Sequence, residues 1–382
     1  FKLITNWKVH HFPIIFANMS EYGSIKYDCR FFRGGIPCKP NKTSNQVCST
    51  CTEYAQIQTR ILIIKLGAIG DVIRTTPLLT RFRKEYPNCH ISWITQSPAV
   101  LPKELVDEIY TPDFLSIYKI KQYKYDIAIN LDKEVEACAL LAEVESERKF
   151  GFTWKNNHIE AATPAAEHKL VTGLFDNISK TNTKNYLEEI FEICHLDFQG
   201  EPYKLNYNQN LAKKWNSIRE EANGKKIIGL NTGCGVRWQT RLWPQENWIE
   251  LIKQLQNDGY YPIVLGGKDE DDVNSYYVQA TGCFYPGHFQ LDEFIALVSH
   301  CDVIVTAVSM MMHIALGLNK KMVLFNNIFN KYEFELYGQG SIIEPSTGCD
   351  CYYGNTCSRE KHCMKDLSVA QVFNEIKKWA DA

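Results

Sequence analysis

The chain has 382 residues, a formal net charge of −2 and 45% hydrophobic content. That length predicts two domains. The near-neutral charge gives no ground for nucleic acid as a principal partner, and no apolar run approaches the ~20 residues that span a bilayer. The first stretch, FKLITNWKVHHFPIIFANMS, holds a short apolar patch broken by Pro13 and lacks the layout of a secretory signal.

Residues 1–58 show no clear periodicity. They are locally basic (Lys26, Arg30, Arg33, Lys39, Lys42), with Tyr27, Phe31 and Phe32 interleaved. A solvated surface is the ordinary meaning of such a mix, and a surface for an anionic partner is the alternative. Cys29, Cys38, Cys48 and Cys51 supply four thiols, two of them as a C-x2-C pair, enough for a tetrahedral zinc or an iron–sulfur site. A second, looser group is Cys349, Cys351, Cys357 and Cys363. Either group is expected to pin a loop or an oligomer contact rather than to do chemistry.

The stretch RILIIKLGAIGDVIRTTP, residues 60–77, opens the first folded domain. Ile61-Leu62-Ile63-Ile64 reads as a strand buried on both faces. A turn, Gly67-Ala68-Ile69-Gly70, follows, and Asp71 stands where a helix should begin. There it is either a helix cap or a reactive carboxylate at the carboxyl end of a parallel strand, where open α/β sheets place their ligands. The local pattern leaves both open. Residues 75–86 predict a helix with Leu78, Leu79 and Phe82 on one side. Arg74, Arg81, Arg83 and Lys84 form a basic face suited to an anionic acceptor. Strands are predicted over 90–95, 106–109, 125–130 and 150–152, and an amphipathic helix over 185–195. Strands alternating with helices predict a parallel, doubly wound sheet.

The pattern weakens over 199–224, where a charged helix is predicted at 212–222, and the opening theme then recurs. Residues 225–231 form a strand, Thr232-Gly233-Cys234-Gly235 a turn, and Pro244 starts a helix. Strands follow at 262–265, 302–306 and 321–326, with a helix from about Ser309 to Leu318 and a closing helix over 367–379. The first turn is neither GxxxxGK[ST] nor GxGxxG, so nucleotide need not bind there. The second turn, with Arg237, Arg241 and the helix N-terminus near Ser309, suits a diphosphate.

The blocks KLGAIGDVIRTTP, GLNTGCGVRWQTRLWPQENWIELIKQL, VLGGKDEDD and VTAVSMMMHIALGL occur in that order. Together they resemble the signatures of glycosyltransferase family 9, the ADP-heptose:lipopolysaccharide heptosyltransferases. The resemblance covers roughly residues 60–326. It implies an α/β fold of the GT-B type, two Rossmann-like domains facing across a cleft, carrying a cysteine-containing N-terminal extension. The expected divisions are 1–58 for the extension, 59–205 for the acceptor domain, 206–348 for the nucleotide-sugar domain, and 349–382 for the cysteine-containing loop and closing helix.

It further implies inverting transfer of a heptose from ADP-heptose to a bacterial surface glycan or glycolipid of the lipopolysaccharide core type. Asp71 would be the general base. Arg241, where the family usually has Lys, would stabilise the leaving diphosphate. Thr232 and Gly233 would line the phosphates, and Glu270, with Asp269 as its alternative, would approach the ribose. His313 would lie beside the donor sugar, and Gly70, Arg74, Ser309 and Met310 would complete the substrate site. No cofactor is expected for transfer beyond a structural zinc or iron at the cysteines. The expected location is cytoplasmic, at the inner face of the bacterial inner membrane with peripheral membrane contact, and without nucleic acid.

One position departs from the family pattern. Val308 stands where the family commonly places an Asp five residues before the His, and valine cannot accept hydrogen bonds from sugar hydroxyls. Either the donor sugar differs, another acid takes the role, or turnover is weakened. The alternatives to the heptosyltransferase reading are the same fold using another nucleotide sugar or a protein acceptor, and a non-catalytic sugar-nucleotide-binding relative.

Overall fold

The computed structural model describes residues 25–382. The chain divides into two compact units, Phe1–Gln58 and Thr59–Ala382. In the first, the described residues form one short helix, Lys39–Ser44, and a loop closed by a bridge between Cys29 and Gln56. The Tyr54 hydroxyl donates to Asp28 Oδ2 at 2.8 Å.

The second unit contains two sheets. The first is built from β1 (Thr59–Ile64), β2 (Cys89–Ile94), β3 (Glu108–Tyr110), β4 (Lys124–Asn130), β5 (Glu145–Lys155) and β6 (His158–Ala161). Its spatial order is β3-β2-β1-β4-β5-β6, parallel except for the β5–β6 hairpin. The second contains β7 (Ile227–Asn231), β8 (Tyr261–Leu265), β9 (Val303–Ala307), β10 (Lys321–Phe325) and β11 (Gly340–Ile343), in the order β11-β10-β9-β7-β8 and parallel throughout.

Parallel pairing needs crossovers, and the helices supplying them cover both sheet faces. Alternation along β1 shows this directly. Ile61 and Ile63 join one apolar cluster, while Leu62 and Ile64 join another on the opposite face. The first of these clusters runs on into the second sheet, taking in Ile227, Ile304 and Ile314. One continuous core thus holds the carboxyl ends of both sheets together.

Several elements differ from expectation. The helix predicted over 75–86 forms as Pro77–Glu85, and a separate helix, Ile69–Thr75, precedes it; Pro77 has no N–H to continue that first helix. The charged helix predicted over 212–222 is likewise two, Gln209–Lys213 and Asn216–Ala222. Strands β6 and β11 lack a distinctive apolar pattern and were not foreseen. The basic face also dissolves. Arg81 is buried and its Nε donates to Glu201 Oε1 at 2.7 Å, and Arg83 pairs with Asp107 at 2.7 Å. These guanidiniums tie helix to sheet and loop, so Arg74 is the basic side chain of that stretch that lines the cleft.

At the end of β1 the chain buries a charge. The Lys65 ammonium, 4% exposed, is hydrogen-bonded to Asp132 Oδ1, and the other Asp132 oxygen accepts the Leu66 N–H. Burial opposes the charge on both side chains; at Lys65 the neighbouring Tyr186, Asp71 and Asp132 outweigh it and raise the pKa, whereas at Asp132 burial prevails and raises the carboxyl. The direct contact, the Leu66 N–H and the nearby Asp71 favour the ionised pair, which is the state we assign. Removing one partner of a buried pair strands the other. We predict that Asp132→Ala lowers the unfolding free energy by about 3–5 kcal/mol in urea titration. A loss under about 1 kcal/mol would show that the pair does not lock the end of β1.

Candidate active site

The carboxyl ends of β1 and of β7, β9 and β10 face one another. Asp71 is the third residue of the Ile69–Thr75 helix, whose N-cap is Ala68. It makes no capping hydrogen bond, so the cap reading does not hold. Its carboxylate faces the cleft, with 35% of the side chain exposed. Arg74 Nη2 lies 2.9 Å from Oδ1 and Lys65 Nζ 3.7 Å from Oδ2. The Arg74 guanidinium carbon itself lies over the Tyr186 ring, 3.5 Å from its centroid. The cleft walls desolvate the Asp71 carboxyl, which pushes it up, but Arg74 and Lys65 outweigh this and hold it below the usual carboxylate range.

Gly70 explains how the two domains meet here. A Cβ at this position would lie 2.5 Å from His313 Cδ2. The glycine lets the Met310–Gly317 helix of the second domain pack directly against the Asp71 helix. The His313 ring is stacked on Tyr203, with Nδ1 3.5 Å from the phenol oxygen. Burial drives the imidazole pKa down to about 3, so it is neutral and supplies no charge to a phosphate.

A cavity of about 830 Å³ lies between these walls. It brings together Gly70, Asp71, Arg74, Arg241, Val308, Ser309, Met310 and His313. Arg241 is 6% exposed, with its guanidinium bonded to the carbonyls of Val308 and Cys234 and to Trp238 O at 3.0 Å. A guanidinium has five N–H donors, so these carbonyls orient Arg241 without using it up. Ser309 caps the Met310–Gly317 helix through Met311 N–H.

Thr232, Gly233 and Glu270 line neighbouring space instead, a cavity of about 550 Å³ on the other side of the turn. Here the structure revises the reasons for two of them. The Thr232 hydroxyl donates to Asn274 Oδ1 at 2.6 Å. A Cβ on Gly233 would meet the Glu270 carboxylate at 2.1 Å, so this glycine makes room for Glu270. Glu270 Oε2 in turn accepts the Gly267 N–H at 2.8 Å. A slot of about 340 Å³ runs from Asp269 and Glu270 past Phe289 and Leu291 to Met310, joining the cleft at Cys234 and Gly235. On the first-domain side, a polar cavity of about 600 Å³ extends from Asp71 and Arg74 to Lys133 and Lys169.

Among the described residues no three His, Cys, Asp or Glu side chains converge as ligands. Cys29, Cys38, Cys48 and Cys51 are half-buried free thiols, and as placed they do not form a ligand set for zinc or iron.

The model of glycosyltransferase family 9 (heptosyltransferase) matches residues 116–331. The chain belongs to glycosyltransferase family 9. Lipopolysaccharide heptosyltransferase 2 of Salmonella typhimurium is 34% identical over 164 residues, 40% of this chain and 46% of that enzyme. The chain therefore spans about half the length of that relative in the match. The solved family 9 glycosyltransferase of Veillonella parvula shares the fold at a TM-score of 0.66, with 18% identity over 85% of this chain and 97% of that one. The E. coli ADP-heptose lps heptosyltransferase II does so at 0.61, with 16% identity over 84% and 98%. The two facing sheets are thus the GT-B architecture.

In this family 9 chain, sequence reasoning overlooked several site residues. Lys65 sits inside the opening block, and its position one turn before Asp71 was the available signal. Trp238, Phe329, Glu333 and Tyr353 line the 830 Å³ cavity, but they come from loops with no periodic pattern. Tyr353 belongs to the second cysteine loop, where Cys351 and Cys363 are buried in the core.

Gly70→Ala should cost about 1–3 kcal/mol, because neither the buried imidazole nor the helix can yield cheaply. That penalty should largely vanish in a His313→Ala background, as a double-mutant cycle in denaturant would read. Equal costs in both backgrounds would refute the close contact as the reason for the glycine.

Proposed function

We propose that the protein is an inverting glycosyltransferase that moves a heptose from ADP-heptose to a hydroxyl of a bacterial surface glycan, with Asp71 as the general base. The observation that carries the reading is the Asp71 carboxylate facing the Val308–His313 wall across one cavity. The donor preference rests on family membership and on the similarity in fold to the E. coli ADP-heptose lps heptosyltransferase II.

The adenosine would lie in the slot beside Phe289 and Leu291, with the ribose near Asp269 or Glu270. The diphosphate would run past Gly235 to the N-terminus of the Met310–Gly317 helix, whose free N–H groups favour an anion, and to Arg241. The sugar would then occupy the 830 Å³ cavity. The acceptor oxygen attacks the anomeric carbon from the Asp71 side as the bond to the phosphate oxygen breaks. The acceptor proton passes to Asp71, and ADP leaves with its charge stabilised by Arg241 and the helix end. One displacement inverts the centre and needs no second nucleophile.

Lys65 and Arg74 keep Asp71 ionised, which makes it available but weak as a base. A weak base suffices where the bond to the leaving group breaks well before the proton moves. The cations around the 600 Å³ cavity favour an acidic acceptor such as the lipopolysaccharide core. Lys133 stands out there, because burial and the neighbouring Lys169 lower its pKa to about 8. We place the reaction at the cytoplasmic face of the inner membrane, where a glycolipid acceptor would be reached by peripheral contact. Among the described residues no helix is long and apolar enough to cross a membrane. Val308 favours a second reading, in which the same chemistry uses another nucleotide sugar.

Asp71→Asn should lower transfer by at least about 10³-fold while ADP binding by calorimetry stays within about twofold; an active variant would remove Asp71 as the base. The lowered Asp71 pKa carries a pH prediction. The acid limb of kcat/KM should lie below the usual carboxylate value of about 4, and Arg74→Gln should move it to higher pH by removing the nearest cation. An unmoved limb would show that another group sets it.

A further inference from the structure

The wall where family members place an acid is apolar here, since Val308 presents only methyl groups. The cavity it lines is not without a second carboxylate. Of its lining residues, the two acids are Asp71 and Glu333. Glu333 comes from the loop after β10. Strands β9 and β10 are adjacent and parallel, with Ala307 opposite Phe325, and the Val308 N–H donates to Phe325 O at 3.2 Å. The chain thus leaves β10 beside position 308, and Glu333, further along the same loop, lines the cavity that Val308 also lines.

The Glu333 carboxylate is also held. Tyr353 donates its hydroxyl to Oε1 at 2.8 Å. Tyr353 is fixed by its own N–H to Ile328 O at 3.0 Å and by edge contacts to Trp238 and Phe329. Oε1 takes the Tyr353 hydroxyl, and the carboxylate lies in the field of Arg74 and Lys133. An ionised carboxylate so placed accepts sugar hydroxyls through charge-assisted bonds.

We propose that Glu333, oriented by Tyr353, holds the hydroxyls of the transferred sugar in place of the acid missing at Val308. Glu333 is then a donor-specificity residue, and the second cysteine loop serves the site by carrying Tyr353. The inference rests on the nucleotide-sugar reading above.

The test is calorimetric titration of the full chain with ADP and with ADP-heptose. Glu333→Gln keeps an acceptor for Tyr353 but removes the charge. It should leave ADP affinity within about twofold and weaken ADP-heptose by about tenfold or more, the range for a hydrogen bond to a charged group. Tyr353→Phe should shift the same ratio in the same direction by less, and it carries the test if Glu333→Gln fails to fold. Val308→Asp added to Glu333→Gln should restore part of the discrimination. If wild type prefers ADP-heptose over ADP and neither variant changes that preference, the Glu333 assignment is overturned while the donor reading stands. If wild type does not distinguish the two ligands, the donor reading fails and the assignment falls with it.

Discussion

The Lys65 ammonium is buried where β1 ends, and the first-domain half of the cleft is arranged around keeping it paired. A buried cation without partners would cost several kcal/mol. Asp132, from the end of the neighbouring strand β4, meets it directly, and Asp71 stands 3.7 Å away on the other side. The same charge thus closes the sheet end and sets the environment of the carboxylate that faces the cleft. Arg74, clamped over Tyr186, completes the set. Stability and the ionisation of Asp71 are consequences of one cluster, so neither can be altered without the other.

The second constraint is steric. Gly70 lets His313 approach within the radius of a missing side chain, and this contact sets how the Asp71 helix meets the Met310–Gly317 helix. His313 lines the donor cavity, yet its buried, neutral ring acts first as packing between the domains. The glycines of the two turns do different work. Gly70 admits a neighbouring helix and Gly233 admits the Glu270 side chain. Both glycines are thus explained by packing, and under the proposed function the anion would be met by the helix end at Ser309 and by Arg241.

Where the reading of the chain succeeded, the signals were local. Uninterrupted β-branched runs such as Ile61–Ile64 are legible because a strand buried on both faces leaves no room for polar residues. Asp71, Arg74, Arg241, Ser309, Met310 and His313 do share one cavity. Where the reading failed, a partner distant in sequence decided the outcome. Arg81 and Arg83 look like a solvent-facing basic stripe until Glu201 and Asp107 are known to meet them. The four N-terminal cysteines have ligand chemistry but, as placed, not ligand geometry.

The sequence by itself determined the two αβ repeats, the order of the motif blocks and hence the family, because strand burial and turn chemistry are written in short stretches. It also showed that Val308 lacks the expected acid. Only the tertiary structure decided which side chains meet in the cleft. Lys65 and Asp132 are separated by 66 residues, as are Glu333 and Tyr353 by 19, and no periodicity links either pair. Electrostatics and close packing act through space, and the fold alone brings Glu333 and Val308 to the lining of one cavity.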